Sequence, residues 1–436
     1  MKKFYNTIVV CLVASVLQAQ TAQQPLFCGF DYFIKMKETN EPEWHRGYEE
    51  VLQAWQQKKS DRAGGGGVYV IPVVFHIVYN TDAQNIADSV VHSQMEVLNE
   101  DYRRMNADAI NTRIEFLPVA ADTEIEFQLA TFDPDGNLTN GITHTFTDLS
   151  GFTLDLFSAE NTLDEVKHSA TGGVDAWDTE HYLNIWICNI EPTLFGQIFG
   201  MSYPPVGLDN WPANSNAPTD GDDGVIVHYT TVGRNNPTAD DDDFTENNLG
   251  RTLTHEVGHY LGLRHTWGDE FFTDPCSEDD GMADTPLCGG GDQYTCDYDA
   301  NSCDEGADDL PDQLENYMDY TKDACYNMFT QEQRELMRFV LEGPRIELLN
   351  NAALAVAEKQ MPAIHLYPVP AADELYVKNL LANEIYTYQL FDVSGQVIQA
   401  GTITQYMVDV QSLTNGCYVL RIEHNDGIVT RKFIKN

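Results

Sequence analysis

Leu253-Thr254-His255-Glu256-Val257-Gly258-His259-Tyr260-Leu261-Gly262-Leu263-Arg264-His265 is the stretch on which the reading of this 436-residue chain turns. On a helix His255 and His259, four apart, share one face and sit about one turn from each other. Two neutral imidazoles at that separation can hold one zinc ion. Glu256 follows the first histidine and so reaches a water on that metal. Gly262 tolerates positive φ, which lets the chain turn sharply after the helix and return His265 as a third ligand. Three histidines leave one position open for water, the mark of a catalytic rather than a structural zinc site. The short form His-Glu-x-x-His also arises by chance on helices with two surface histidines. The eleven-residue form with Gly262 and His265 is far more specific. The chemistry expected of it is hydrolysis. Zinc activates the water and polarises a carbonyl, while Glu256 takes the water's proton and passes it to the leaving amine.

The chain around this motif reads as several segments. Upstream, residues 68–79 form an apolar, β-branched run typical of a buried strand. Residues 89–105 repeat Val90, Val91, Met95, Leu98 and Tyr102 at helical spacing. Further strands are expected at 125–132, 182–189 and 224–229, and helices at 331–341 and 345–357. Alternating helix and strand predicts an α/β (α+β) catalytic domain over residues 64–349. After a linker at 350–362 the texture changes to short strands and turns, at 374–377, 386–392, 395–399, 416–422 and 427–434. That spacing predicts a small all-β sandwich over 363–436.

At the other end, Lys2 and Lys3 precede a short apolar run, and Gln18-Ala19-Gln20 offers a cleavage site. Residues 1–20 therefore read as a secretory signal peptide. No stretch reaches the roughly 20 apolar residues of a membrane span. Residues 21–63 are polar with scattered aromatics and run into the four-glycine hinge 64–67. Such a joint is exposed and easily cut, so the segment before it reads as a propeptide and the protein as a zymogen. The alternative is a disordered tail. With 68 acidic against 25 basic residues the formal net charge is −43, which argues against nucleic acid as a partner and suits a solvated acidic surface. Nine cysteines are present, and Cys276, Cys288, Cys296, Cys303 and Cys325 crowd together without a Cys-x-x-Cys pair. In an exported protein that clustering predicts disulfides in a loop-rich region.

With the zinc motif in place, Asn316-Tyr317-Met318-Asp319-Tyr320 resembles the methionine turn of the metzincin metallopeptidases. The resemblance implies Met318 as the hydrophobic floor beneath the histidines and Tyr320 as a residue touching the metal or the reaction intermediate. Finer features are similar to the pappalysin family, in particular its ulilysin-like bacterial members. They are Trp267-Gly268-Asp269, Asp284-Thr285-Pro286, the stretch from Asp323 to Gln331, and upstream Tyr182-Leu183-Asn184-Ile185-Trp186 and Asp223-Gly224-Val225. This likeness spans roughly residues 68–345. It implies a two-lobed fold, with protein or peptide substrate lying extended along an edge strand near residues 196–203.

The family's pattern also implies disulfides joining Cys276 with Cys303 and Cys296 with Cys325, leaving Cys188, Cys288 and Cys417 unassigned. It further implies structural calcium. Asp269, Asp279, Asp280 and Asp284 line a glycine-containing loop, and hard oxygen ligands suit Ca²⁺; a solvated acidic loop is the alternative. Asp323 matches an acidic residue at the floor of the S1′ pocket, which implies a preference for Arg or Lys at P1′. Cys28, in Phe27-Cys28-Gly29-Phe30, is a candidate latency switch whose thiolate takes the open zinc position. A disulfide to Cys188 or Cys288, or an inert thiol, are the other readings.

The C-terminal segment resembles the sorting domain of the type IX secretion system of Bacteroidetes. The matching pieces are Leu366-Tyr367-Pro368 with Pro370-Ala371, Phe391-Asp392-Val393-Ser394-Gly395, Leu413-Thr414-Asn415-Gly416 and a basic tail of Arg431, Lys432 and Lys435. Val369 stands where the family usually has Asn. This likeness implies handling by that secretion machinery and a secreted or cell-surface location. An ancillary binding sandwich is the alternative. For the whole chain the rival to a peptidase is a binding protein on a decayed protease fold, and decay should have removed ligands or base that are all present here.

Overall fold

Tyr69–Tyr79 (β1) is buried from Ile71 to Val78 on both of its faces. An apolar, β-branched run without alternation belongs at the centre of a parallel sheet, and that is where it lies. β1 pairs in parallel with β3 (Ile125–Leu129) along its first half and with β4 (Ile142–Phe146) along its second. Its other edge pairs with β6 (Leu183–Cys188), itself parallel to β9 (Val225–His228). β8 (Gly200–Ser202) completes the order β3-β1-β6-β9-β8 and runs antiparallel to β9. The sheet edge beside the zinc motif is therefore β8, inside the stretch expected to serve as the edge strand. Two short pairings tie loops to this frame, β2 (Ala120–Ala121) with β10 (Phe329–Thr330) and β5 (Phe152–Thr153) with β7 (Ile190–Glu191).

This computed structural model describes residues 28–30, 52–53, 55–56, 67–155, 158, 161–193, 196–205, 217–239, 247–268, 276–277, 279–290, 296–306, 309–350, 365–378, 380, 386–392, 397–403, 406–424 and 427–436. The chain divides into two units, Met1–Leu354 and Ala355–Asn436. The expected signal peptide, most of the expected propeptide and residues 351–364 lie outside the described residues. No described helix is long and apolar enough to cross a membrane.

Three helices whose limits fall among the described residues pack on the first unit's sheet and loops. α1 (Asp88–Tyr102) buries Val90, Val91, Met95, Leu98 and Tyr102 on the face the periodicity predicted. It stops three residues short of the expected end. Arg104 adopts φ 48°, and Met105 N–H returns to the Glu100 carbonyl at 2.7 Å. This is a glycine-type helix terminus built without glycine, so the sequence carried no stop signal. α2 (Arg251–Tyr260) carries the first two histidines. α3 (Gln331–Leu341) matches its expected limits because a capping box fixes its start. Thr330 Oγ1 accepts from Gln333 N–H, and Gln333 Oε1 accepts from Thr330 N–H. The helix expected over 345–357 is corrected to a single 3₁₀ turn, Ile346–Leu349, among the described residues. Arg345 explains why the chain departs from a helix there. Its guanidinium is forked onto both Asp223 oxygens, donates to the Tyr260 carbonyl and lies over the Tyr260 ring. A side chain committed to α2 in this way fixes the backbone that carries it.

The second unit is all-β, as the strand spacing predicted. β11 (His365–Tyr367), β12 (Glu374–Lys378) and β15 (Met407–Asp409) form one antiparallel sheet. β13 (Thr387–Phe391), β14 (Val397–Thr402), β16 (Gly416–His424) and β17 (Gly427–Lys435) form another. Alternate residues supply the apolar core: Leu375 and Val377 from the first sheet, Leu390, Leu420 and Phe433 from the second.

Candidate metal centre

α2 is capped by Gly250, in the left-handed region at φ 82°, and followed, two residues past Tyr260, by Gly262 at φ 94°. Gly262 N–H bonds to the His259 carbonyl and Leu263 N–H to the Gly258 carbonyl, a Schellman terminus that reverses the chain. The reversal delivers His265 to the face bearing His255 and His259. The three Nε2 atoms converge at 3.1, 3.1 and 3.2 Å from one another. Tetrahedral ligands around zinc at 2.0–2.1 Å stand about 3.3 Å apart, so the triad is spaced to share one ion.

The tautomers suit that role. His255 Nδ1 lies 2.7 Å from the Tyr317 carbonyl and His259 Nδ1 2.8 Å from the Leu263 carbonyl. A carbonyl only accepts, so each Nδ1 carries the proton and each Nε2 lone pair faces inward. Burial, reinforced by the neighbouring imidazoles, lowers His255 to about 3 and holds His259 well below the ordinary range. Both rings are neutral at physiological pH, as metal ligands must be.

The floor is built by contact between two sequence motifs. A Cβ on Gly258 would stand 2.4 Å from Met318 Sδ. The glycine between the two α2 histidines thus lets Met318, fully buried, press against the helix beneath them. Asn316 holds the turn. Its Oδ1 accepts from Met318 N–H and from Gln333 Nε2, and its amide nitrogen donates to Gln313 and Gln333. Tyr317 O–H donates to Asp101, which also accepts from Thr254 on α2. α1, α2 and the methionine turn are cross-linked there. Trp267 stacks flat on His265 at 4.5 Å, and the Tyr320 ring meets both edge-on at 4.7 Å.

Glu256 is fully buried and lies against the sheet edge. A Cβ on Gly200 would stand 2.5 Å from Glu256 Oε1. Ser202 O–H donates to the Glu256 carbonyl at 2.8 Å. Asp323 is buried in a narrow cavity whose lining includes Arg251, His255, Glu256 and Tyr320. Its Oδ2 accepts from the Leu249 and Arg251 N–H groups at 2.8 and 3.3 Å. Burial pushes this carboxyl up to about 6.

Cys28 is part of this centre. Its Sγ and one nitrogen from each of His255, His259 and His265 all lie within 4.8 Å of one another. Gly29 N–H donates to the Gly200 carbonyl at 2.8 Å, and Cys28 and Gly200 form a parallel bridge. Phe30 stacks on His259. Cys188 and Cys288 are buried thiols in no disulfide, so the alternative of a bond from Cys28 to either is not realised.

Cys276–Cys303 and Cys296–Cys325 are joined, each with Cα atoms 5.8 Å apart. Asp279, Asp280 and Asp284 do not form a three-ligand group among the described residues, and Asp269 lies outside them. Asp280 is buried and accepts from Met282 N–H and Thr285 O–H on one oxygen, while Asp284 accepts from Glu332 N–H. The roles of Gly200, Gly258, Asn316 and Asp101 were missed in the sequence. Gly258 lies inside the zinc motif, but the reason for it, the approach of Met318, lies sixty residues downstream.

Comparison with known proteins agrees with this geometry. The family model for pregnancy-associated plasma protein-A matches residues 169–342, and that for a secretion system C-terminal sorting domain matches residues 365–436. Mature mirolysin of Tannerella forsythia, solved with a cleaved peptide, is 43% identical, with 66% of this chain and 97% of that one covered and a TM-score of 0.56. A promirolysin mutant of the same organism is 39% identical, covering 75% and 98%, with a TM-score of 0.61. An extracellular metalloprotease of Colletotrichum graminicola is 40% identical over 99 residues, 21% of this chain and 31% of that one. The chain spans about a third of the length of the first curated relatives it matches.

Proposed function

This chain belongs to the pappalysin family of metallopeptidases, and on that premise we propose that it is a zinc endopeptidase acting on extracellular proteins, exported through its C-terminal sorting domain by type IX secretion and made as a zymogen. The convergence of three buried Nε2 atoms, beside the buried Glu256 side chain, carries this reading. A zinc ion held by His255, His259 and His265 supplies Lewis acidity and makes a water deprotonable near neutral pH.

The chain's own residues supply the rest. Glu256 accepts the proton of the attacking water and passes it to the leaving amine nitrogen. Tyr320, edge-on to His265, presents a hydroxyl to the carbonyl oxygen as charge develops there. β8 offers its edge to an extended peptide backbone, and the close approach of Gly200 holds the Glu256 side chain against that edge. Asp323, at the end of the cavity beside His255, gives Arg or Lys a carboxylate at P1′. In the latent chain Cys28 takes the position that substrate and water need, and its segment occupies the β8 edge. Asp279, Asp280 and Asp284, with Asp269, would supply hard oxygen ligands to the structural calcium that the family likeness implies. Raised Tm on adding Ca²⁺ to chelator-treated protein would support it, and an unchanged Tm would remove it.

The test is cleavage of a diverse peptide library by the full-length protein. Limited trypsin treatment in the segment bearing Lys58, Lys59 and Arg62 activates it, and a serine-protease inhibitor then quenches the trypsin. Chelator-sensitive cutting before Arg or Lys is expected. A folded, zinc-loaded protein that cuts nothing would overturn the proposal in favour of a binding protein.

A further inference from the structure

We propose that the seat now filled by Phe30 is a substrate subsite for aromatic side chains on the non-primed side of the cut. The proposal rests on the peptidase reading of the same centre. Phe30 is fully buried, and its ring lies flat on His259, with centroids 3.9 Å apart and planes at 9°. His265 meets it edge-on at 5.9 Å. Behind His265 the wall continues in aromatic rings, Trp267 stacked flat and Tyr320 edge-on. The seat is thus lined by imidazole faces and edges on protein that stays when the segment bearing Phe30 leaves. An imidazole that has given its Nε2 lone pair to a cation is electron-poor, and the negative face of an aromatic ring stacks favourably on it.

The direction of the chain assigns the side. Cys28 lines the cavity that holds Asp323, together with His255 and Glu256. From Cys28 the chain passes Gly29, bonded to the Gly200 carbonyl, and reaches Phe30 over His259 and His265. Phe30 therefore lies across the metal centre from Asp323. If Asp323 receives the residue after the cut, the Phe30 seat receives a residue before it. Gly29 has no side chain to spare for this. A Cβ there would come 3.2 Å from Met201, so of residues 28–30 the Phe30 ring is the large side chain placed on this side of the centre.

Two readouts on the zinc-loaded, trypsin-activated full-length protein test the seat. In the library, Phe, Tyr and Trp should be enriched about five- to tenfold over Ala at one of the three positions before the cut. The synthetic peptide Pro-Leu-Phe-Cys-Gly-Phe-Asp, residues 25–31, should bind about tenfold more tightly than its Phe30→Ala version, measured by calorimetry. Cutting with no aromatic enrichment, or equal affinity of the two peptides, would overturn the seat and leave the peptidase standing. Absence of all cutting would overturn the peptidase. Calorimetry would still decide the seat in that case, because equal affinities refute it whether or not the protein cleaves.

Discussion

The segment from His255 to His265 and the edge strand β8 face each other across one site, yet they work by opposite means. The histidine segment acts through side chains at fixed spacing, converging to within 3.2 Å. β8 acts through what it lacks. Gly200 has no side chain, which lets the strand press on Glu256, and its carbonyl is free to accept Gly29 from the pro-segment. The first kind of function is written in residue identity. The second is written in backbone and in empty space, and a sequence displays neither directly.

The largest expected effect removes the side-chain half while keeping the metal. Glu256→Gln should keep zinc at one per chain and lower kcat/KM by about 10²–10⁴. Unchanged cleavage would take the base away from Glu256. Next comes the backbone half. Gly200→Ala would drive a methyl into the Glu256 side chain, and a displacement of that order should cost about 100-fold in kcat with zinc still bound at one per chain and a Tm lowered by the overpacking. Wild-type activity would show that the strand does not hold the base.

Specificity should respond less. Asp323→Asn keeps an acceptor for the Leu249 and Arg251 N–H groups but removes the charge. Preference for Arg over Leu at P1′ should fall about tenfold. Burial raises this carboxyl to about 6, so in the wild type the charged form dominates above that pH. The Arg preference should hold at pH 7.5 and decline as pH falls through 6, with profiling at both ends as the check. The smallest effect on chemistry should come from Cys276→Ser with Cys303→Ser. Opening that loop should cost about 2–4 kcal/mol of stability by denaturant melt while a peptide assay at low temperature shows near-normal kcat.

The same contrast explains what was legible beforehand. The His255–His265 triad, Glu256 beside it, the Asn316–Tyr320 turn and the limits of α3 each rest on local spacing or a capping box, and all stand in the sequence as short patterns. α1 was read three residues too long because Arg104 takes a left-handed turn that glycine usually announces. Among the described residues the helix expected from Arg345 is a 3₁₀ turn, where Arg345 answers to Asp223, more than a hundred residues upstream. The reasons for Gly258 and Gly200 were invisible for a related cause. Each glycine is required by a side chain from another segment, Met318 or Glu256, and such a demand exists only once the chain is folded.

Zinc K-edge absorption on the latent full-length protein, beside its Cys28→Ser variant, tests the meeting of the two regions most directly. Three nitrogen neighbours at about 2.0–2.1 Å and one sulfur at about 2.3 Å are expected, with the sulfur lost and an oxygen gained in the variant. A first shell without sulfur in the wild type, or with more than one, would contradict a triad of His255, His259 and His265 closed by Cys28.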